Sequence, residues 1–264
     1  MQPRRSLSRW RLLLAAPRSG AENMARDTAL LARAARTGET VFSIYSWVTP
    51  TLSFGRHQSA AGQYDPEKIR AASVDVVRRP TGGRAILHHR EVTYSVTAPL
   101  QAESLRVAYA RINCILLDGL SRLGVNVTLA APSARAVAPT AQPCFELPSE
   151  GELIADGRKL VGSAQWRNES ALLQHGSILV EDDQSSLPSF AARGAAGDDA
   201  VPRPATLSAL LGRVPDTDEL AGVMFEAVRS LEDADAIKMD EEEIRKETVP
   251  LIPQFLDESW TWRR

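Results

Sequence analysis

Two hydrophobic rhythms alternate along the 264 residues, one with the two-residue period of a strand and one with the three-to-four spacing of a helix face. The short apolar run Trp10 to Leu14 predicts a first strand. Asn23 is a plausible cap for a helix reaching about Arg36, with Met24, Leu30, Leu31, Ala34 and Ala35 as its apolar content and Gly38 as its stop. Residues 41–48 alternate and predict a strand, Thr49-Pro50 turns the chain, and residues 51–55 begin another. Asp65 then caps a short helix, with Pro66 at its first position, through about Ala72. The β-branched run Val74, Val76, Val77 and the run Thr93 to Thr97 read as two further strands.

From Ser104 to Leu123 the pattern is helical, with Leu105, Tyr109, Ile112, Leu116, Leu120 and Leu123 on one face. Gly124 closes that helix, and residues 125–129 continue as a strand. Cys114 falls opposite the apolar stripe and carries no assigned chemistry. Asp156-Gly157 between residues 152–155 and 158–165 is a hairpin signal, and residues 172–180 make one more strand. Past Glu181 the composition shifts. Residues 184–206 read as a linker or mobile segment, and residues 207–247 as acidic helices, from Asp218 to Arg229 and from Asp233 to Lys246. There Asp240-Glu241-Glu242-Glu243 is expected to form a solvated face. The tail Trp260-Thr261-Trp262 is expected to pack on the main domain.

Composition narrows the function classes. A charge of −2 leaves no electrostatic footprint for nucleic acid, and no apolar run approaches bilayer length. Two cysteines make no disulfide framework, so a cytoplasmic setting is expected. Arg4, Arg5 and Arg9 precede the first strand, but Arg11 interrupts the apolar run a signal peptide needs. Residues 1–9 read as a disordered lead.

Candidate chemistry concentrates in VVRRPTGGRAILHHREVTYSVT, residues 76–97. Two arginines before a Gly-Gly pair and two histidines after it suggest a backbone that approaches a ligand closely. A plain β-hairpin with a charged edge is the competing reading. A second focus is Cys144, delivered by the Ala/Pro-rich loop of residues 130–143, with Lys159 fifteen residues later. A cation near a loop thiol would lower its pKa and favour the nucleophilic thiolate. His57 reads as a surface-loop residue.

Taken together, RRPTGGRAILHHREVTYSV, GRKLVGSAQWR with LLQHGSILV, and the pattern of Asn23, Met24, Ala25, Asp27, Leu30 and Leu31 resemble the lipoate- and octanoate-attachment enzymes, which share a fold with biotin protein ligases. His89 departs from the pattern, since many relatives carry Asp there. The resemblance implies an α/β (α+β) domain with mixed, mainly antiparallel sheets flanked by helices over residues 10–183, followed by a short helical C-terminal segment, 207–264. Cys144-Phe145 with Pro148-Ser149 is similar to the cysteine-dependent octanoyltransferase branch. That likeness makes Cys144 the nucleophile and Lys159 the group that stabilises its thiolate and the oxyanion. Arg79, Thr81, Gly82, Gly83, Arg84, His88, Gly162, Ser163 and His175 are the implied substrate-binding residues, with the two histidines serving either proton handling or structural hydrogen bonds. The implied donor is octanoyl-acyl carrier protein. The implied acceptor is a lipoyl-domain lysine, as in the glycine cleavage H protein or a 2-oxoacid dehydrogenase subunit. No metal or cofactor is implied, and a monomer is expected. An ATP-dependent lipoate–protein ligase and an octanoyl amidotransferase acting between lipoyl domains are the alternatives.

Overall fold

The structure is a computed structural model that describes residues 9–100, 104–131, 151–192 and 203–263. Strand β1 (Trp10–Leu14) leads into helix α1 (Gly20–Thr37). The helix starts three residues before Asn23. Ser19 is its cap, in a reciprocal capping box with Glu22, while Asn23 is buried inside the first turn and donates to the Arg18 and Ser46 carbonyls. Gly38, left-handed at φ 74°, ends the helix as expected.

Strands β2 (Thr40–Tyr45) and β3 (Thr51–Phe54) follow, then α2 (Pro66–Ala71) with Asp65 capping it, β4 (Asp75–Arg78), β5 (Ile86–His88) and β6 (Glu91–Pro99). β2 stops three residues short of the expected Val48, and Trp47 beyond it turns inward, 7 % exposed. Helix α3 (Leu105–Arg122) matches its apolar stripe, with Ser104 as cap and Cys114 exposed on the far side. Only β7 (Thr128–Leu129) forms from the expected strand at 125–129. β8 (Leu153–Ala155) and β9 (Arg158–Arg167) make the expected hairpin, its two turn residues both left-handed, Asp156 at φ 50° and Gly157 at φ 70°. β10 (Ala171–Leu179) pairs with β9, and a 3-10 turn (Gln184–Phe190) packs Leu187 and Phe190 against the side chains of Leu52, Phe54 and Leu87.

Beyond it stand α4 (Leu207–Leu211), α5 (Thr217–Leu231), β11 (Ile237–Lys238), α6 (Glu242–Thr248), α7 (Ile252–Leu256) and α8 (Glu258–Thr261). The helix expected over 233–246 is therefore split, because Ile237 and Lys238 extend alongside β1 instead. The acidic cluster is not simply solvated. Glu241 accepts from Arg26 at 3.0 Å and from the Ala16 amide at 3.3 Å, and Glu243 pairs with Arg11 at 2.7 Å. The arginines of β1 and α1 need those carboxylates.

Among the described residues eight strands form the main sheet in the order β11-β1-β2-β6-β10-β9-β8-β7, parallel from β11 to β2 and antiparallel across the rest. A second sheet sets β3 between parallel β4 and antiparallel β5. The strands at Val76 and Thr93 thus belong to different sheets, and the hairpin reading of residues 76–97 does not hold. One face of the main sheet packs Phe42, Ile44, Tyr94 and Val96 against Ile112 and Leu116 of α3 and Met224 and Phe225 of α5. Its other face packs Val41 and Tyr45 against Met24, Ala25 and Leu30 of α1. The fold is the expected mixed α/β architecture with mainly antiparallel pairing. Among the described residues no helix is long and apolar enough to cross a membrane.

Candidate active site

A cleft opens between the α1 face of the main sheet and the loop and strand from Arg79 to His88. Its walls include Met24, Tyr45, Trp47, Ile86 and Ala164, with Arg79, Gly83, His88, Gly162, Ser163 and His175 supplying the polar positions. Strand register makes the floor. Tyr45, Thr93, Ser177 and Gly162 stand side by side across β2, β6, β10 and β9, and Ser43, Ser95, His175 and Ala164 form the next row on the same face.

Each histidine of the cleft is held at both ring nitrogens. His175 Nδ1 donates to Asp27 Oδ2 at 2.8 Å, and its Nε2 lies 2.6 Å from Thr81 Oγ1. Asp27 also accepts from Tyr45 Oη at 2.9 Å and Ser95 Oγ at 2.8 Å, so this carboxylate from α1 ties three strands together. Burial, and then the Asp27 charge, push the Tyr45 phenol well above its ordinary pKa, so it stays a proton donor. His88 Nδ1 faces Glu91 Oε1 at 3.0 Å, and Nε2 lies 2.8 Å from Ser53 Oγ. Trp47 stacks on the His88 ring with centroids 4.0 Å apart, and its indole donates to Thr93 Oγ1. Burial lowers the His88 pKa, and the Glu91 partner opposes the shift without reversing it. The imidazole is therefore neutral near pH 7. The Glu91 carboxylate can only accept, which places the ring proton on Nδ1, and Ser53 Oγ, which accepts from Arg79 Nη1 at 3.0 Å, donates to Nε2.

Arg79 holds the glycine loop from inside. Its Nε donates to Gly82 O at 3.2 Å, Nη1 to Ser53 O at 3.0 Å, and Nη2 to Gly82 O at 2.9 Å and Arg84 O at 2.7 Å. A Cβ on Gly83 would meet that guanidinium at 2.7 Å, on a backbone already left-handed at φ 92°. Lys159, on β9, is 3 % exposed and donates to Glu152 Oε1 at 2.7 Å. A polar chain runs nearby: Ser163 Oγ bonds Tyr94 Oη at 2.7 Å, Gln174 donates to that oxygen at 2.9 Å and to Asn113 Oδ1 at 3.3 Å, and Asn113 donates to Gly151 O at 2.7 Å. Among the described residues no group of three metal-ligating side chains is gathered.

Residues 19–229 match the family model described as the lipoyl protein ligase A/B catalytic domain. That is more than half of the chain. It belongs to this family. Octanoyltransferase LipM of Kyrpidia tusciae is 43% identical over 188 residues, 67% of this chain and 68% of the relative. Octanoyltransferase LipM of Carboxydothermus hydrogenoformans is 42% identical over 183 residues, 67% of each. In fold, the chain is similar to the bipartite lipoate protein ligase of Thermoplasma acidophilum, with a TM-score of 0.76 at 17% identity over 97% of this chain and 96% of that one. This member of the lipoyl protein ligase A/B family is an acyltransferase.

The structure brings Arg79, Gly83, His88, Gly162, Ser163 and His175 of the family motifs to one cleft. Thr81 and Gly82 stand behind it as partners of His175 and Arg79, and Arg84 contributes its carbonyl. Lys159 is not among the cleft-lining residues. Cys144, with the Cys144-Phe145 and Pro148-Ser149 motif, lies outside the described residues, as do residues 1–8 of the expected lead 1–9. Sequence reasoning missed Trp47, Ser53, Glu91 and Glu152. It saw Asp27 only as part of the α1 motif. A buried acid within reach of each motif histidine was the available signal, since an imidazole inside a protein needs a partner for each nitrogen.

Proposed function

We propose that the chain is an octanoyltransferase of protein lipoylation, which takes its acyl group from octanoyl-acyl carrier protein and passes it to a lipoyl-domain lysine through a thioester on Cys144. The observation that carries this reading is the likeness to octanoyltransferases at 43% and 42% identity across two thirds of both partners. The cleft supports it. Met24, Trp47, Ile86 and Ala164 supply apolar surface for an alkyl chain.

In the first half-reaction the Cys144 thiolate attacks the thioester carbonyl. The carrier thiolate leaves and takes up a proton, and one thioester has replaced another with little change in free energy. In the second, the neutral amine of the acceptor lysine attacks the acyl-enzyme. Cys144 leaves as thiolate, the nitrogen gives up one proton to solvent and an amide forms, which is downhill, so the sequence needs no ATP. The Lys159 ammonium, anchored by Glu152, is the cation proposed to stabilise the thiolate and the oxyanion.

Intact-mass spectrometry of the protein mixed with octanoyl-acyl carrier protein, without ATP, tests this. The expected result is a gain of one octanoyl group, labile to hydroxylamine, absent in Cys144→Ala and discharged by a lipoyl domain. No adduct, with transfer only when ATP and free acid are supplied, would sink the proposal in favour of a ligase.

A further inference from the structure

The first arginine of the Arg78-Arg79 pair does not face the cleft. Arg78 is fully buried, and its guanidinium is surrounded by backbone carbonyls from two distant parts of the chain. Nη1 donates to Gly55 O at 2.6 Å and Gln58 O at 2.7 Å. Nε donates to Trp260 O at 3.1 Å and Thr261 O at 3.0 Å, and Nη2 to Arg263 O at 3.0 Å. The tail answers in kind. The Trp260 indole donates to Arg78 O at 3.0 Å, Arg263 donates to Arg56 O at 2.8 Å, and Trp262 packs edge-on against Phe54.

What these contacts hold is a wall of the cleft. A Cβ on Gly55 would lie 2.0 Å from Gly83 O, so the two glycines are in direct backbone contact. The Arg56 amide donates to Thr81 O at 2.8 Å, and the Arg79 amide to Phe54 O at 3.0 Å. Gly83 itself lines the cleft. Residues 230–263 lie beyond the part matched by the family model, yet they reach this wall.

We propose that Arg78 is a positioning residue: it fastens the C-terminal segment Trp260 to Arg263 onto the Gly55–Gln58 loop, and through that loop sets Gly83 in the wall of the acyl cleft. The chemistry suits arginine. Carbonyls on two sides suit a planar fork that presents N–H groups from three nitrogens, whereas an ammonium has three donors on one compact centre. No carboxylate pairs with Arg78 among the described residues. Burial first, then Arg263 and Arg79, push its pKa down to about 10, and it stays charged near neutrality. The carbonyl dipoles of loop and tail are what keep that charge in place. Removing the tail's carbonyls would leave a buried cation half-coordinated, which gives the loop a reason to shift.

This inference rests on reading the cleft as the acyl slot. Its test uses full-length Arg78→Lys, Trp260→Ala and the double variant, in steady-state transfer from octanoyl-acyl carrier protein and in amide hydrogen exchange of the free proteins. KM for the donor is expected to rise about tenfold in each single variant while kcat changes far less, the signature of lost uniform binding. In the double variant the effects should fall well short of additive, because both changes cut one link. Exchange should accelerate at residues 55–58 and 82–84 and stay slow in β6 and β10. A lower melting temperature with unchanged KM and unchanged loop exchange would overturn the proposal, as would additive effects. The exchange arm needs no substrate. Failure of the unaltered protein to transfer octanoyl would therefore overturn the function while the strut is still decided.

Discussion

At the scale of single residues, the cleft depends on groups whose charge state is set by burial. His88 is the clearest case. Unfolded, its imidazole titrates near the ordinary value of 6.5, while in the folded protein desolvation lowers that value, and the nearby cation Arg79 and His175 add to the shift against the opposing Glu91. As pH falls below about 6.5, the unfolded chain gains a proton that the folded chain resists. Stability should therefore decline through that window and level off below the folded pKa. Denaturant midpoints collected between about pH 7.5 and 5 should show the decline, and His88→Gln should flatten it. An equally steep decline in the variant would mean that another group is responsible. Asp27 plays a different part. Its two oxygens take three hydrogen bonds from three strands, which explains why an acid appears on a helix face otherwise occupied by Met24, Ala25 and Leu30.

At the scale of elements, helix α1 matters because it delivers Met24 to the cleft and Asp27 to its floor. Its start is fixed by the Ser19–Glu22 capping box, in which the Ser19 amide and hydroxyl both donate to Glu22 Oε2, at 3.1 and 2.7 Å. Ser19→Ala should cost about 1 kcal/mol of stability, read as a shifted denaturant midpoint with unchanged slope. No shift would show that α1 is held by its packing alone. The same cap shows what could be read from the chain and what could not. Serine followed three residues later by glutamate is a local signal, and it was present beside the equally capping-competent Asn23. Long amphipathic elements such as α3, and the Asp156-Gly157 hairpin, are legible because their pattern repeats over many residues or needs one special backbone geometry. β11 is not legible, since two residues carry no period and their strand character comes wholly from β1 beside them. The acidic cluster at 240–243 was misread for a related reason: the arginines that recruit Glu241 and Glu243 lie more than 200 residues away. In the cleft, the motif residues were legible through resemblance, while Trp47, Ser53 and Glu91 are recruited by tertiary contact.

At the scale of the whole molecule, the chain closes on its own beginning. The Met239 amide donates to Leu12 O, the Trp10 amide donates to Asp233, Glu241 pairs with Arg26, and Phe255 joins the core around α1. These contacts make the C-terminal helices part of one cooperative structure. Unfolding in denaturant should accordingly give coincident transitions by tryptophan fluorescence, which samples Trp10, Trp260 and Trp262 at both ends, and by far-ultraviolet circular dichroism. A fluorescence change that precedes the loss of secondary structure would show that the tail detaches first.

Among the described residues the main sheet ends on β11 at one side and β7 at the other, each only two residues long. An open sheet margin is a template on which a second chain can add a strand, and length is what makes such a template adhesive. Here each margin offers a foreign strand a footing of two residues, and on β11 one of them is an exposed lysine. Ile237 and Leu129, though exposed, therefore sit on edges too short to propagate a ladder. The main sheet can carry long buried strands such as β6 and β10 at its centre and still expose little described edge for another chain to extend at high concentration.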